Sequence, residues 1–198
     1  KFYHQKQHAI FLVVHPFYST FMSNFKATTI WFTGLSASGK STLSERLFKD
    51  LQQLGLMNVE LLDGEAVRDM LKNDNFDTSS REKIGIQKAK IAQELNKQGK
   101  IVLVTGIAHK KKWRDDIRVM FDNYYEIYLD CSVEDCSKRD YKGNYQKALL
   151  GELDNFIGIS EPYEVSDGFD LVVDSGKCSV EYCSQKILAS VLDFINRK

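Results

Sequence analysis

The stretch that most constrains the chain is Gly34-Leu35-Ser36-Ala37-Ser38-Gly39-Lys40-Ser41-Thr42, or G-L-S-A-S-G-K-S-T. Its two glycines, five positions apart, let the backbone wrap so that N–H groups converge on phosphate oxygens. A helix beginning at the second glycine adds the positive end of its dipole. Lys40 supplies a point charge for β- and γ-phosphates, and a hydroxyl at the Ser41 position ligates Mg²⁺ in loops of this kind. The flanks agree. Thr29 to Thr33 is β-branched and aromatic, as a buried strand is, and Leu43, Leu47, Leu51 and Leu54 recur at helical spacing before Gly55. Strand, glycine loop and helix together make a P-loop. They imply a nucleoside triphosphate with Mg²⁺ and leave open what receives the phosphate.

The rest of the chain alternates strand and helix. Asn58 to Leu62, Ile101 to Thr105, Tyr125 to Leu129 and Phe169 to Val173 read as further strands; Ile101 to Thr105 is apolar throughout, as suits a sheet covered on both faces. A short helix is expected over Glu65 to Leu71. A longer one opens at a capping box, Ser79 with Glu82, carries Ile84, Ile91, Ala92 and Leu95 inward, and ends at Gly99. Helices are expected over Trp113–Phe121, Val133–Arg139 and Val180–Ile195. The fold class is therefore α/β: a three-layer P-loop NTPase fold, a five-stranded parallel sheet with helices on both faces. Between Asp140 and Ser160 the pattern breaks into Gly, Lys, Tyr and Asn, which we take as a mobile lid.

Lys plus Arg and Asp plus Glu number 27 each, a neutral balance that argues against a nucleic-acid coat protein. No apolar run reaches the roughly 18–20 residues of a membrane span. Cys131, Cys136, Cys178 and Cys183 are spaced C-x4-C twice without His nearby, so they read as reduced thiols of a cytoplasmic protein rather than a metal site. Residues 1–21, rich in aromatics and His, read as a tail or non-native segment before a natural start at Met22; the domain is expected over 22–198.

Asp63 ends the second strand, where open α/β sheets bind ligands. A carboxylate there can accept a hydroxyl proton or hold a Mg²⁺-bound water; it also suits a simple helix cap. Arg68 lies five residues on and could reach an anion.

Here a family resemblance appears. G-L-S-A-S-G-K-S-T, L-L-D-G-E-A-V-R-D-M-L, F-D-T-S-S-R, R-D-Y-K-G-N-Y-Q-K-A and F-I-G-I-S-E-P-Y-E resemble the adenylyl-sulfate kinase family, in its order and near its spacing, from about Ile30 to Asp174. The resemblance implies transfer of the γ-phosphate of ATP to the ribose 3′-hydroxyl of adenylyl sulfate, a small-molecule nucleotide. It places Gly34 to Thr42 and Arg139 on ATP, with Lys40 and Asp63 catalytic and Ser41 and Asp63 near the metal. It sets Asp63 beside the 3′-hydroxyl, Arg68 and Arg81 on the phosphosulfate, and Phe76 and Phe156 around the base. Ile107, Lys142 and Lys147 would also meet substrate, the lysines from a lid over Asp140–Asn155. The family often forms homodimers; the residues themselves do not fix an assembly.

The departures cluster at the acceptor. The family follows its second arginine with E-N-x-R-R, whereas Arg81 is followed by E-K-I-G-I-Q. Ile84 stands where the family has a substrate-contacting Asn, and Ile86-Gln87 replace the arginine pair. After the third strand, S-F-I-S-P-Y-R is replaced by Thr105-Gly106-Ile107-Ala108-His109-Lys110-Lys111. The second acid of D-G-D is Glu65, and D-P-K-G has become Asp140-Tyr141-Lys142-Gly143. Two alternatives therefore stand beside adenylyl sulfate: a related ribonucleotide conjugate such as cytidine diphosphate phosphoramidate, or nucleotide binding without catalysis. His109 is a candidate base only if it faces the 3′-hydroxyl.

Overall fold

Strand β1 (Thr28–Thr33) is buried at every position and alternates its side chains between two apolar layers. It is the middle strand of a five-stranded sheet, order β2-β3-β1-β4-β5, made with β2 (Val59–Leu62), β3 (Ile101–Thr105), β4 (Tyr124–Asp130) and β5 (Leu171–Asp174). All four pairings are parallel, with Trp31 opposite Val104 on one side and Glu126 on the other. A parallel sheet requires covered crossovers, and its central strands are apolar on both faces for that reason. The computed structural model describes residues 25–63, 67 and 77–196. The expected tail, 1–21, lies outside them. Of the short helix expected over Glu65–Leu71, only Val67 is described; it is helical and buried.

On one face, Ile30 and Phe32 of β1 meet Leu43, Leu47 and Leu51 of helix α1 (Lys40–Gln53) and Ile187, Val191 and Ile195 of the C-terminal helix (Val180–Asn196). On the other, Trp31, Val102 and Val104 meet Ala89 and Ala92 of α2 (Thr78–Lys97) and Ile117 of α3 (Lys111–Arg118). The three-layer α/β fold expected from the sequence is the fold observed. Beyond the sheet's carboxyl ends, Leu35, Cys131, Cys136, Tyr145 and Phe156 form a third apolar cluster, joining the loop after β1 to helices α4 (Val133–Arg139) and α5 (Asn144–Leu149). The C-terminal helix is α6. All four cysteines are free thiols. Among the described residues no helix is long and apolar enough to cross a membrane.

Three sequence expectations are corrected. Strand β5 begins at Leu171, not Phe169: Phe169 instead stacks on Tyr128, ring centroids 4.6 Å apart, beneath the Arg114 guanidinium. Helix α3 runs over Lys111–Arg118 rather than Trp113–Phe121, because Lys111 and Lys112 enter its first turn and pair with Asp115 and Asp116 one turn on. The cap of α2 is Asp77, not Ser79: its carboxylate accepts the Ser80 backbone N–H (2.9 Å) and the Ser80 hydroxyl (2.6 Å).

These Ser80 bonds hold the Asp77 carboxyl below its ordinary pKa. The stabilisation is present at neutral pH and is lost as pH falls through that depressed value. Asp77→Ala therefore lowers the thermal midpoint at pH 7 while Ser79→Ala leaves it unchanged, and the Asp77→Ala deficit closes on acidification; melts from pH 7 to pH 3 check both.

Candidate active site

The loop after β1 turns where a side chain does not fit. Gly34 has φ +137°, and a methyl group on it would lie 2.7 Å from the Leu129 carbonyl oxygen of β4. Ala37 (φ 57°) and Gly39 (φ 95°) are also left-handed. Successive turns of this kind point backbone N–H groups into one concavity, continued by the exposed first turn of α1. Lys40 folds back over the loop and donates to the carbonyls of Leu35 (2.5 Å) and Gly34 (3.1 Å). Burial lowers its pKa to about 8, against the raising influence of Cys136, Cys131 and the Asp63 carboxylate.

This loop forms one wall of a cavity of about 990 Å³ at the carboxyl ends of β1, β2 and β3. Ser36 to Thr42 line it; Gly34 and Leu35 lie behind, as backbone supports. Asp63, at the end of β2, faces the same cavity, and the Thr105 hydroxyl at the end of β3 donates to its Oδ1 at 2.9 Å. Arg81, Ile107, Phe156, Arg139 and Lys142 line it too. Arg81 donates to the Asn155 carbonyl (2.5 Å), so α2 is tied to the segment under Phe156. Arg139 clasps the loop after β5, donating to the carbonyls of Ser175 (2.8 Å) and Gly176 (3.0 Å).

The segment expected as a lid is partly helical. Helix α5 buries Tyr145 and Ala148 and turns Lys147 outward, so Lys147 is exposed and does not line the cavity. Tyr145 packs edge-on against Phe156 and donates its hydroxyl to the Ser36 carbonyl (3.0 Å). Arg68 and Phe76 lie outside the described residues. His109 does not line the cavity. It is fully buried, pairs through Nε2 with Glu161 (2.9 Å) and sits edge-on to Trp113; burial lowers its pKa, opposed by Glu161. It supports the wall after β3, where Ala108 is left-handed (φ 42°) and its carbonyl accepts from Arg114 (2.7 Å).

Trp31 and Lys88 are among the cavity residues that no motif announces. Lys88 sits one turn after Ile84 on α2 and, only 5% exposed, donates to the Thr105 carbonyl (2.7 Å). A charged residue at a position in helical phase with Ile84 and Ala92 was the available signal.

Comparison with known proteins adds to this geometry. A family model described as Adenylylsulphate kinase matches residues 26–174. An adenylyl-sulfate kinase of Oceanobacillus iheyensis is 39% identical over 175 residues, covering 87% of each chain. A cytidine diphosphoramidate kinase of Campylobacter jejuni is 38% identical over 146 residues, covering 74% of this chain and 85% of that protein. The solved structure of the Mycobacterium tuberculosis APS kinase CysC in complex with AMPPNP and APS superposes with TM-score 0.79 and 30% identity, covering 85% of this chain and 99% of that one.

A methyl group at residue 34 meets backbone oxygen, not a side chain that can swing away. Gly34→Ala is expected to destabilise the fold by on the order of 2–3 kcal/mol, read as a lower denaturant midpoint at unchanged slope.

Proposed function

Since the chain belongs to the adenylylsulphate kinase family, we propose that it transfers the γ-phosphate of ATP to the ribose 3′-hydroxyl of adenylyl sulfate. The observation that carries this is a single cavity holding the phosphate loop on one side and Asp63, Arg81 and Phe156 on the other. Asp63, oriented by the Thr105 hydroxyl, accepts the proton of the 3′-hydroxyl as that oxygen attacks the γ-phosphorus. The bond from the γ-phosphorus to the β–γ bridging oxygen breaks in line, and ADP leaves. Lys40 turns from the loop carbonyls to the β- and γ-phosphates and offsets their charge. Arg81, with Arg68, grips the phosphosulfate; Phe156, with Phe76, stacks the base. Ile107 supports the acceptor wall, and Lys142 and Lys147 belong to the lid, which excludes water that would otherwise take the phosphate.

Mg²⁺ fits the donor set. The Ser41 hydroxyl and Asp63 carboxylate are hard oxygen donors on one cavity, and the described residues contain no cluster of three His, Cys, Asp or Glu side chains forming an all-protein cage. That suits an ion held mainly by phosphates and water. When bound it neutralises triphosphate charge. The free thiols support a reducing, cytoplasmic setting.

A second reading rests on Ile84, which is buried and lines the cavity, at the position where the family resemblance implies a substrate-contacting Asn. With the Campylobacter relative, it favours a cytidine diphosphate conjugate as acceptor. ADP release from Mg-ATP with a nucleotide panel separates the two: turnover is expected with adenylyl sulfate, and turnover only with the pyrimidine conjugate overturns the first reading. Binding of ATP without acceptor-dependent ADP would leave a non-catalytic module.

Asp63→Asn is expected to lower kcat about 10²- to 10⁴-fold while sparing the KM for ATP. Lys40 is a cation below about pH 8 in the nucleotide-free protein, so ATP affinity falls as pH rises through and above that value. Titrations from pH 6.5 to 9.5 test this, and Lys40→Met flattens the profile.

A further inference from the structure

Between Gly34 and Gly39, Ala37 alone among the phosphate-loop residues is left-handed, at φ 57°. A residue with a side chain holds that conformation only where its surroundings fix it. Here the fixing contact comes from outside the loop. The carbonyl one residue back, that of Ser36, accepts the Tyr145 hydroxyl at 3.0 Å. Tyr145 belongs to the lid helix α5, is 1% exposed and packs edge-on to Phe156, ring centroids 4.8 Å apart. Its backbone N–H donates to the Asp140 carboxylate at 2.7 Å, so the ring enters the third apolar cluster from an anchored helix start.

The Ser36–Ala37 peptide bond is trans. In a trans peptide the carbonyl and the following N–H point in opposite directions in one plane. Turning the Ser36 carbonyl toward Tyr145 therefore turns the Ala37 N–H away from the cluster, toward the cavity that Ala37 lines. The next amide is committed elsewhere, since the Ser38 N–H donates to the Leu35 carbonyl at 3.3 Å. Among the described residues the Ala37 N–H has no acceptor. Ala37 and Ile107 both pack on the cluster that contains Phe156, which sets this amide on the acceptor's side of the loop. We propose that Tyr145 is a positioning residue for phosphoryl transfer: by holding the Ser36 carbonyl it aims the Ala37 N–H at the β–γ end of the bound triphosphate. There the bridging oxygen keeps the electron pair as its bond to the γ-phosphorus breaks. Tyr145 does not line the cavity and acts through the peptide plane. A preorganised N–H counts most where charge develops, so its misaiming falls on kcat more than on binding. The inference rests on the proposed kinase reading and deepens it.

Tyr145→Phe removes the hydroxyl and keeps the ring against Phe156. With the acceptor that turns over, its kcat is expected to fall about tenfold to a hundredfold, with the KM for ATP and for acceptor within about threefold. Gln146→Gly loosens the same helix from its exposed face and should keep kcat within about twofold. A second readout needs no turnover. Ser36-Ala37 is the single Ser-Ala step in the chain, so carbonyl-¹³C serine with ¹⁵N-alanine labelling isolates one amide. Its proton should move downfield when a non-hydrolysable ATP analogue with Mg²⁺ saturates the wild type, and less far in Tyr145→Phe. Each variant is checked for an intact thermal transition, with Tyr145→Met replacing Tyr145→Phe if that variant unfolds. A kcat unchanged in Tyr145→Phe, an equal loss in Gln146→Gly, a loss confined to the KM for ATP, or the same amide shift in both proteins would each overturn the proposal. A Tyr145-dependent amide shift in a wild type that turns over no acceptor would defeat the functional reading and leave the aiming of Ala37 standing.

Discussion

The rest of the structure depends on the close approach of Gly34 to the Leu129 carbonyl. The central strand must stop, turn and enter a helix within a few residues, with β4 packed against it. Only a residue without a side chain, and with φ near +137°, takes that path. The loop's N–H groups then open toward the cavity while its first two carbonyls point back to hold Lys40. The third apolar cluster forms beneath it because Leu35 is carried inward by the same turn.

The acceptor side is held by longer-range contacts. The Thr33 hydroxyl reaches the Ile107 carbonyl at 2.5 Å and the Tyr163 hydroxyl at 2.7 Å. Arg114, buried against Tyr163 and Phe169, secures Ala108. His109 and Glu161 close the turn behind. The left-handed Ala108 is flanked by two ties: its own carbonyl accepts from Arg114, and the His109 carbonyl accepts the Glu164 N–H. Ala108 in this wall and Ile84 on α2 both line the cavity.

What the sequence makes legible follows from how local each cause is. The phosphate loop, β3 and α4 are set by neighbouring residues, and their bounds match or nearly match the pattern. Asp63 was accessible because a strand's carboxyl end is a topological position. Tyr145 was not: its partner Ser36 lies 109 residues away. Trp31 reads as a core residue in a buried strand, which it is, and its orphaned nitrogen shows only once Gly106 lies against it. Ser79 and Asp77 are both plausible caps by composition, and the choice depends on which carboxylate or hydroxyl meets Ser80. Lys147 shares its lid with Lys142, but helical phase turns it to the outer face.

The bond from Tyr145 to the Ser36 carbonyl joins the lid helix directly to the donor loop. Any ligand that shifts Ser36 changes how firmly α5 is held, and by thermodynamic reciprocity anything that fixes α5 changes the loop's affinity for its ligand by the same factor. A single tyrosine hydroxyl thereby ties the position of α5 to that of the loop.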